Sequence, residues 1–271
     1  MAVKISIIAS SIEDKVLAFC DKFIPLYEEK LRRRMLASLT TRLRRAVRNH
    51  FKQREKEVLY RVQWAWKTKM EAVSTLDWLL LHVFDYDEEM ELLRVVLGGF
   101  YIEAGEWGVN HLLRSVSSQI GRDVIYRGST EWIRDNAIKF GEEYADLITD
   151  TTNQAIRDQI AEAIKEGEVL DDVMGRIASV YRDAEGYRSE MIARTEMARA
   201  YNASSLEQAK ALGIKQYDWV GCDPSCPICG PFLAGGPYTA AEIDNIIGST
   251  HPNCVGSQVA IVPEDFIEPI P

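Results

Sequence analysis

Residues 31–62 read LRRRMLASLTTRLRRAVRNHFKQREKEVLYRV, and this stretch contains a narrow apolar stripe. Its members recur mostly every three or four positions: Leu36, Leu39, Leu43, Val47, Phe51, Val58 and Val62. That spacing places them on one face of an α-helix. Upstream, Ser10 and Glu13 form the Ser-x-x-Glu pattern of a capping box, which favours a helix beginning there. The sequence therefore predicts one long amphipathic helix in the N-terminal region.

Proline placement separates a helical part from a terminal unit of mixed structure. The chain has no proline from Leu26 to Asp223, whereas eight of its nine prolines fall from Pro224 onward. A proline-free run of this length permits long helices. Apolar periodicity predicts a further helix over 88–97, one that begins at Ser129 and one that follows a second cap at Thr151-Thr152. Two more helices are predicted over 169–180 and 187–212.

Glycines are expected to interrupt the helical pattern between about 98 and 128, so we predict a domain boundary near residue 128. After Gly213 the pattern changes to a β-like run over 214–220, a cysteine-rich loop, a short helix capped by Thr239 and Glu242, and a second β-like run over 255–262. The predicted fold is mainly α. It has an N-terminal helical region (1–128), a helical bundle (129–213) and a small C-terminal α+β unit (214–271).

Composition excludes several classes of protein. The 271 residues are 46% hydrophobic, which is enough for a buried core. With 32 basic and 41 acidic residues the net charge is −9, so a surface that binds nucleic acid everywhere is excluded. We expect no signal peptide and no membrane span. Five cysteines without a secretion signal argue against a disulfide framework.

Four of the five cysteines lie between Cys222 and Cys254. The stretch Cys226-Pro227-Ile228-Cys229-Gly230 is a knuckle, with two thiolates one tight turn apart. His251-Pro252-Asn253-Cys254 returns later, and the two elements together offer a Cys₃His set for tetrahedral zinc. The predicted ligands are Cys226, Cys229, His251 and Cys254, with Cys222 as an alternative to His251. Such a site contributes roughly 10 to 16 kcal/mol of apparent binding free energy, which can decide whether a small unit folds.

The pattern favours a structural metal over a catalytic one. Zinc deaminases place an H-x-E element before their P-C-x-x-C pair, but none of His50, His82 and His111 is followed by glutamate two positions later. The sequence contains no HExxH, P-loop or GxSxG pattern either. We expect no enzymatic activity. A zinc-dependent nucleic-acid enzyme and a cellular zinc-ribbon adaptor are the alternatives.

An ordered set of motifs fills the C-terminal half. It comprises Ile192-Ala193-Arg194-Thr195-Glu196, Arg199, Asn202, Lys210 to Gly213, Trp219, Asp223, the cysteine knuckle, Tyr238 and His251-Pro252-Asn253-Cys254. This order resembles the phage Mu F-like head morphogenesis family, the minor head proteins of tailed bacteriophages, over about 150–262. One departure is that the family usually ends His-Pro-Asn-Cys-Arg-Cys, whereas Val255 and Gly256 follow Cys254 here.

The resemblance implies a structural virion protein inside the capsid at the portal vertex, present in the host cytoplasm during assembly. It implies a role in head assembly, DNA packaging or ejection. The implied partners are the portal protein, other head proteins and packaged double-stranded DNA. Within the motif, Arg194, Glu196 and Arg199 are candidate functional residues. Glu196 and Arg199 are three positions apart, so they can pair on one helix face or contact a partner.

Positive charge is concentrated in residues 30–69, which contain 14 basic and two acidic residues. Guanidinium groups suit phosphate oxygens as well as carboxylates. The target can be DNA, an acidic protein surface or the acidic remainder of this chain. The candidate DNA- or partner-binding residues are Arg32, Arg33, Arg34, Arg42, Arg44, Arg45, Arg48 and Lys52.

Overall fold

A computed structural model confirms that the protein is mainly α. It describes the backbone of residues 2–69, 83–124, 130–263 and 266, and their side chains except at 2–29, 68–69, 130–131, 138 and 140. The helices are α1 Ala2–Lys69, α2 Tyr86–Ile120, α3 Thr130–Glu166, α4 Leu170–Asp183, α5 Ser189–Ala211 and α6 Ala240–Ser249. A π-helical segment, Ala184–Arg188, joins α4 to α5, and a 3₁₀ turn spans Gly230–Leu233. The strands are β1 Gln216–Val220 and β2 Ser257–Ile261.

Helix α1 has the long amphipathic form that its apolar spacing predicts. From Leu39 to Val62 its stripe residues are at most 2% exposed. The helix begins at Ala2, so the predicted beginning at Ser10 is wrong. The side chains of Ser10 and Glu13 lie outside the described residues. None of the described helices is long and apolar enough to cross a membrane.

Helix α2 continues through the glycines that were expected to break it. Asp85 caps its first turn by accepting from the N–H of Glu88 at 3.0 Å, and the helix ends only at Ile120. The prediction of a broken segment fails because glycine here serves packing between helices. A Cβ on Gly108 would lie 2.3 Å from the backbone oxygen of Tyr201 in α5, so only glycine permits this approach.

Helix α3 likewise runs without the second cap predicted at Thr151-Thr152. The Thr151 hydroxyl donates to the carbonyl of Leu147, and the Thr152 hydroxyl donates to that of Ile148, each at 2.8 Å. These bonds lie within the helix, one turn back along the chain. Threonine hydroxyls that are satisfied in this way do not end a helix.

The described residues form two apolar cores. The first joins the stripe of α1 to α2, α3, α4 and α5, so residues on both sides of position 128 share one core. The second joins the C-terminal half of α2 and the end of α5 to the terminal unit. Its members include Val109, Leu112, Val116, Leu206, Tyr217, Trp219, Ile243 and Ile246.

The terminal unit contains the predicted strands and helix. Strands β1 and β2 pair antiparallel, from Gln216 opposite Ile261 to Val220 opposite Ser257. Helix α6 begins with the predicted capping box of Thr239 and Glu242. Gly213 ends the preceding helix with a φ of 75°, a conformation that glycine adopts without strain.

Candidate metal centre

The cysteine knuckle is built by hydrogen bonds of its own backbone. The Asp223 carboxylate accepts from the N–H and hydroxyl of Ser225, and the Asp223 carbonyl accepts from the N–H of Cys226 at 3.0 Å. The N–H of Gly230 then donates to the carbonyl of Cys226 at 2.9 Å. A Cβ on Gly230 would lie 2.5 Å from the oxygen of Pro224, so the knuckle requires glycine for lack of space.

The return loop, residues 251–256, presents a histidine nitrogen to the knuckle. Asn253 has a φ of 70°, the left-handed conformation that asparagine tolerates, and this turns the chain after His251. The His251 Nδ1 lies 2.6 Å from the carbonyl oxygen of Pro252. A carbonyl only accepts, so the contact places the proton on Nδ1 and leaves the Nε2 lone pair for a ligand. Nε2 is 3.4 Å from the Cys229 sulfur.

Three of the predicted ligands converge. The ligand atoms of Cys226, Cys229 and His251 all lie within 4.8 Å of one another. Two sulfurs and an imidazole nitrogen are donors that suit zinc, so this cluster could hold a metal. Cys254 and Cys222 lie outside this group of three, although both are buried nearby. The Cys254 sulfur accepts from the N–H of Gly256 at 3.4 Å.

The cysteines differ in how readily they lose a proton. The N–H of Cys229 donates to the sulfur of Cys226 at 3.5 Å and lowers the pKa of the Cys226 thiol to about 7. Burial raises the pKa of Cys229 and of Cys222. The Cys222 thiol donates to the carbonyl of Cys229 at 3.2 Å. In this arrangement Cys222 supports the knuckle as a hydrogen-bond donor.

Helix α5 holds the return loop through two motif residues. The Thr195 hydroxyl accepts from the N–H of Asn253 at 3.0 Å. The Asn202 amide donates to the carbonyl of Gly256 at 3.0 Å, and its oxygen accepts from the Ser257 hydroxyl at 2.8 Å. Sequence reasoning assigned no role to either residue. Their separation of seven positions was an available signal, because it places both on one face of a helix.

The motif residues Glu196 and Arg199 contact the helical body instead of the return loop. The buried Glu196 carboxylate accepts from the Tyr101 hydroxyl at 2.7 Å and from Arg199 at 3.3 Å. Burial raises the pKa of Glu196 to about 7, opposed by the charge of Arg199. The Arg199 guanidinium also lies 4.7 Å from the ring centre of Tyr144. Arg194 is half-buried and has no ion-pair partner in the described part of the chain.

Gly256 occupies the position where the family pattern has its last cysteine. A Cβ there would lie 2.5 to 2.6 Å from three atoms of the Trp219 indole ring. The indole therefore packs directly on the backbone of the return loop. Together with Thr195 and Asn202, Trp219 also lines a cleft between α5 and this loop, which reaches His251.

The basic residues of α1 fall into groups with different surroundings. Arg32 is 4% exposed and donates to the carbonyl of Val255. Three others lie near acidic groups of this chain: Arg42 is 2.6 Å from Glu103, Arg44 is 3.1 Å from Glu190 and Arg48 is 3.9 Å from Glu185. Arg33 is exposed. Arg34, Arg45 and Lys52 are exposed, without an ion-pair partner among the described residues.

Comparison with known proteins returns one family. Residues 154–254 match the model of a family described as Phage Mu protein F like protein. The matched range begins within α3 and ends at Cys254, so it contains α5, the knuckle and the candidate ligands. The match confirms the resemblance seen in the C-terminal half of the sequence. No curated protein and no solved structure matches the chain.

Proposed function

We propose, from the match of residues 154–254 to the Phage Mu protein F-like family, that the protein is a minor head protein of a tailed bacteriophage. The match suggests a phage head morphogenesis protein with a structural role in the virion and contacts to other head proteins. The proposal goes further. It places the protein inside the capsid at the portal vertex, where it binds the portal protein and aids head assembly, DNA packaging or ejection.

The observation that carries this proposal is the family match over residues 154–254. Its support is that residues of the matched motif act together in the fold. Thr195 and Asn202 hold the return loop, while Glu196 and Arg199 bind each other within the helical body. A motif of this kind builds a scaffold. The function assigned is therefore assembly and binding, without a reaction.

The test is quantitative mass spectrometry of purified virions of the phage that encodes the chain. The protein should be present in intact virions at a low copy number, resist protease added outside the particle, and copurify with the portal protein from disrupted heads. Heads assembled without it should show reduced packaging or ejection. Absence from purified virions would contradict the proposal, and hydrolytic activity towards nucleic acid that depends on zinc would favour the enzyme alternative.

We also propose a structural zinc ion held by Cys226, Cys229, His251 and Cys254. The support is the convergence of the first three ligand atoms and the imidazole proton placed on Nδ1. Cys254 is preferred to Cys222 as the fourth ligand because the Cys222 thiol already donates to the carbonyl of Cys229. When bound, zinc would join the knuckle to the return loop, which are separate segments of the chain.

The outward face of α1 is the proposed DNA contact. Arg34, Arg45 and Lys52 are spaced by 11 and 7 residues, so a helix with 3.6 residues per turn aligns them within about 20° over roughly 27 Å. Their charges face solvent, whereas Arg42, Arg44 and Arg48 lie near Glu103, Glu190 and Glu185. Exposed charges of one sign along a helix suit the regular phosphates of a DNA backbone.

Two triple variants with equal net charge test the DNA contact. Changing Arg34, Arg45 and Lys52 to Gln should weaken binding to double-stranded DNA and reduce the slope of log affinity against log salt by roughly 3. The matched variant changes Arg42, Arg44 and Arg48 to Gln and should have a smaller effect. Equal effects would contradict a specific face. If only portal binding is lost, the target is an acidic protein surface.

A further inference from the structure

Arg32 connects helix α1 to the return loop, although 223 positions separate it from its partner in the sequence. Its two terminal guanidinium nitrogens lie 3.3 and 3.4 Å from the carbonyl oxygen of Val255. The side chain is 4% exposed. Burying a charged group is costly unless it forms hydrogen bonds, so the contact restrains both the helix and the loop.

The return loop is therefore held from two directions. Helix α5 binds it on either side of Cys254, through Thr195 at Asn253 and through Asn202 at Gly256. Helix α1 binds it at Val255, the residue directly after Cys254. These three contacts restrain the backbone of the segment that carries the candidate ligands His251 and Cys254. Only the α1 contact comes from outside the matched family range.

We propose that Arg32 is a positioning residue that couples metal binding at the Cys/His centre to the docking of helix α1. The inference rests on the zinc site proposed above. With α1 docked, Arg32 holds the Val255 carbonyl, and the adjoining ligand segment is ordered before metal binds. With metal bound, the same segment presents that carbonyl to Arg32. By thermodynamic linkage, each event favours the other by the same factor.

The coupling gives the metal centre an influence on the basic helix. Arg34, a member of the proposed DNA-binding face, is only two positions from Arg32. Metal bound at the C-terminal unit would therefore restrain the part of α1 next to Arg34. The two elements are distant in sequence, and the Arg32 contact brings them together in the fold.

Zinc affinity of the full-length chain tests the first half of the proposal. Arg32→Met should weaken zinc binding by roughly tenfold or more, as loss of a supporting contact around a metal typically does. Arg32→Lys keeps the charge but offers one nitrogen, and should give an intermediate affinity. Lys30→Met removes an exposed basic side chain two positions before Arg32, outside the proposed DNA-binding face, and should bind zinc like the wild type. Affinities come from competition with a chromophoric chelator.

Hydrogen exchange of α1 tests the reciprocal half. In the wild type and in Lys30→Met, zinc should slow exchange around residues 31–40 relative to the chelated protein. In Arg32→Met that difference should disappear. Wild-type zinc affinity in Arg32→Met, or an unchanged zinc effect on α1, would overturn the proposal. If Arg32→Met does not fold, Arg32→Lys decides, since an intermediate affinity supports the coupling and a wild-type affinity overturns it.

A wild-type chain that binds no zinc would also overturn the coupling. That result would leave the proposed head role intact, because the head role is judged from virion composition. Conversely, absence from virions would contradict the head role without affecting a measured coupling. The two failures are therefore distinguishable.

Discussion

The helical body and the C-terminal unit are stabilised in different ways. In the body, long helices pack against one another through stripes of fully buried side chains such as Leu43, Val47 and Ile160. In the terminal unit, two five-residue strands and one short helix surround loops that carry cysteines. The unit takes its apolar contacts from a core that it shares with α2 and α5.

This difference predicts where the proposed metal would matter most. The strand residue Tyr217 and the helix residue Ile243 are fully buried in the shared core, so β1 and α6 have apolar support. The knuckle and the return loop depend instead on turns, on hydrogen bonds from α5 and α1, and on converging ligand atoms. Metal loss should therefore affect the loops most.

The largest expected effect is loss of the metal through Cys229→Ser. Serine removes one of the proposed thiolate ligands, and the incomplete set should not hold zinc through purification, so zinc content should fall from about one per chain to near zero. Hydrogen-exchange protection should be lost in the knuckle and return loop while α2 and α3 keep theirs. Cys222→Ser should retain zinc, because the Cys222 thiol donates to the carbonyl of Cys229 and is not a proposed ligand. Full zinc content in Cys229→Ser would refute the ligand assignment.

The body should respond most strongly where two helix backbones meet. Gly108→Ala places a Cβ against the backbone of Tyr201, which cannot move aside easily, and should destabilise by about 3 kcal/mol. Gly98→Ala in the same helix meets nothing within 4 Å and should stabilise by roughly 0.5 to 1 kcal/mol. Urea denaturation measures both. Similar losses for the two variants would show that helix packing is not the cause.

The contact between body and unit is tested by Asn202→Ala. The change removes the Asn202 amide that binds the carbonyl of Gly256 and the hydroxyl of Ser257. It should lower the free energy of unfolding by roughly 2 kcal/mol. Faster hydrogen exchange should be confined to the return loop and β2. Asn202→Asp retains the acceptor for Ser257 but buries a carboxylate oxygen against the Gly256 carbonyl, and should cost at least as much. Unaltered exchange in the loop of Asn202→Ala would remove α5 from the support of the metal centre.

Acid should weaken the body through His50. Burial, together with the charge of Arg54, lowers the pKa of His50 to about 4. The contribution of the neutral His50 to the stability of the folded protein is therefore present above pH 6.5 and is lost as the pH falls towards 4. At pH 5 the loss should be about 2 kcal/mol. Glu196 acts in the opposite sense, since its raised pKa gives stability below pH 4.5 that is lost by pH 7.

The two groups are separated by comparing stability at pH 7.5 and pH 5 in variants. Between pH 7.5 and pH 5, the free energy of unfolding of His50→Gln should rise by about 2 kcal/mol relative to that of the wild type. Over the same pH change, the free energy of unfolding of Glu196→Gln should fall relative to that of the wild type. Parallel pH profiles for His50→Gln and the wild type would mean that His50 does not titrate differently in the folded protein.

The smallest expected effect is that of a surface ion pair. Arg44 and Glu190 are 3.1 Å apart, but both side chains are about 40% exposed. Such pairs contribute little, so Arg44→Ala should change the free energy of unfolding by no more than about 0.5 kcal/mol. A loss above 1 kcal/mol would show that the basic helix is held by its charges as well as by its apolar stripe.

Local sequence patterns predicted much of the fold and part of the site. The apolar spacing in α1 identified the residues that are buried, and the capping box at Thr239 marked where α6 begins. Ligand spacing identified Cys226, Cys229 and His251, which converge. Each of these features depends on residues close in sequence or on a metal's preference for certain donors, so the pattern itself carries the physical cause.

By itself, then, the sequence determined the helical periodicity, the position of the mixed terminal unit and the residue types at the candidate metal centre. Only the tertiary structure decided that Gly108 allows two helices to meet, that Thr195 and Asn202 hold the return loop, and which arginines face solvent. Arg32 and Arg34 are alike in sequence, yet one is buried on Val255 and the other is exposed. The reason is that burial and partner choice depend on residues far apart in the chain, and folding alone brings them into contact.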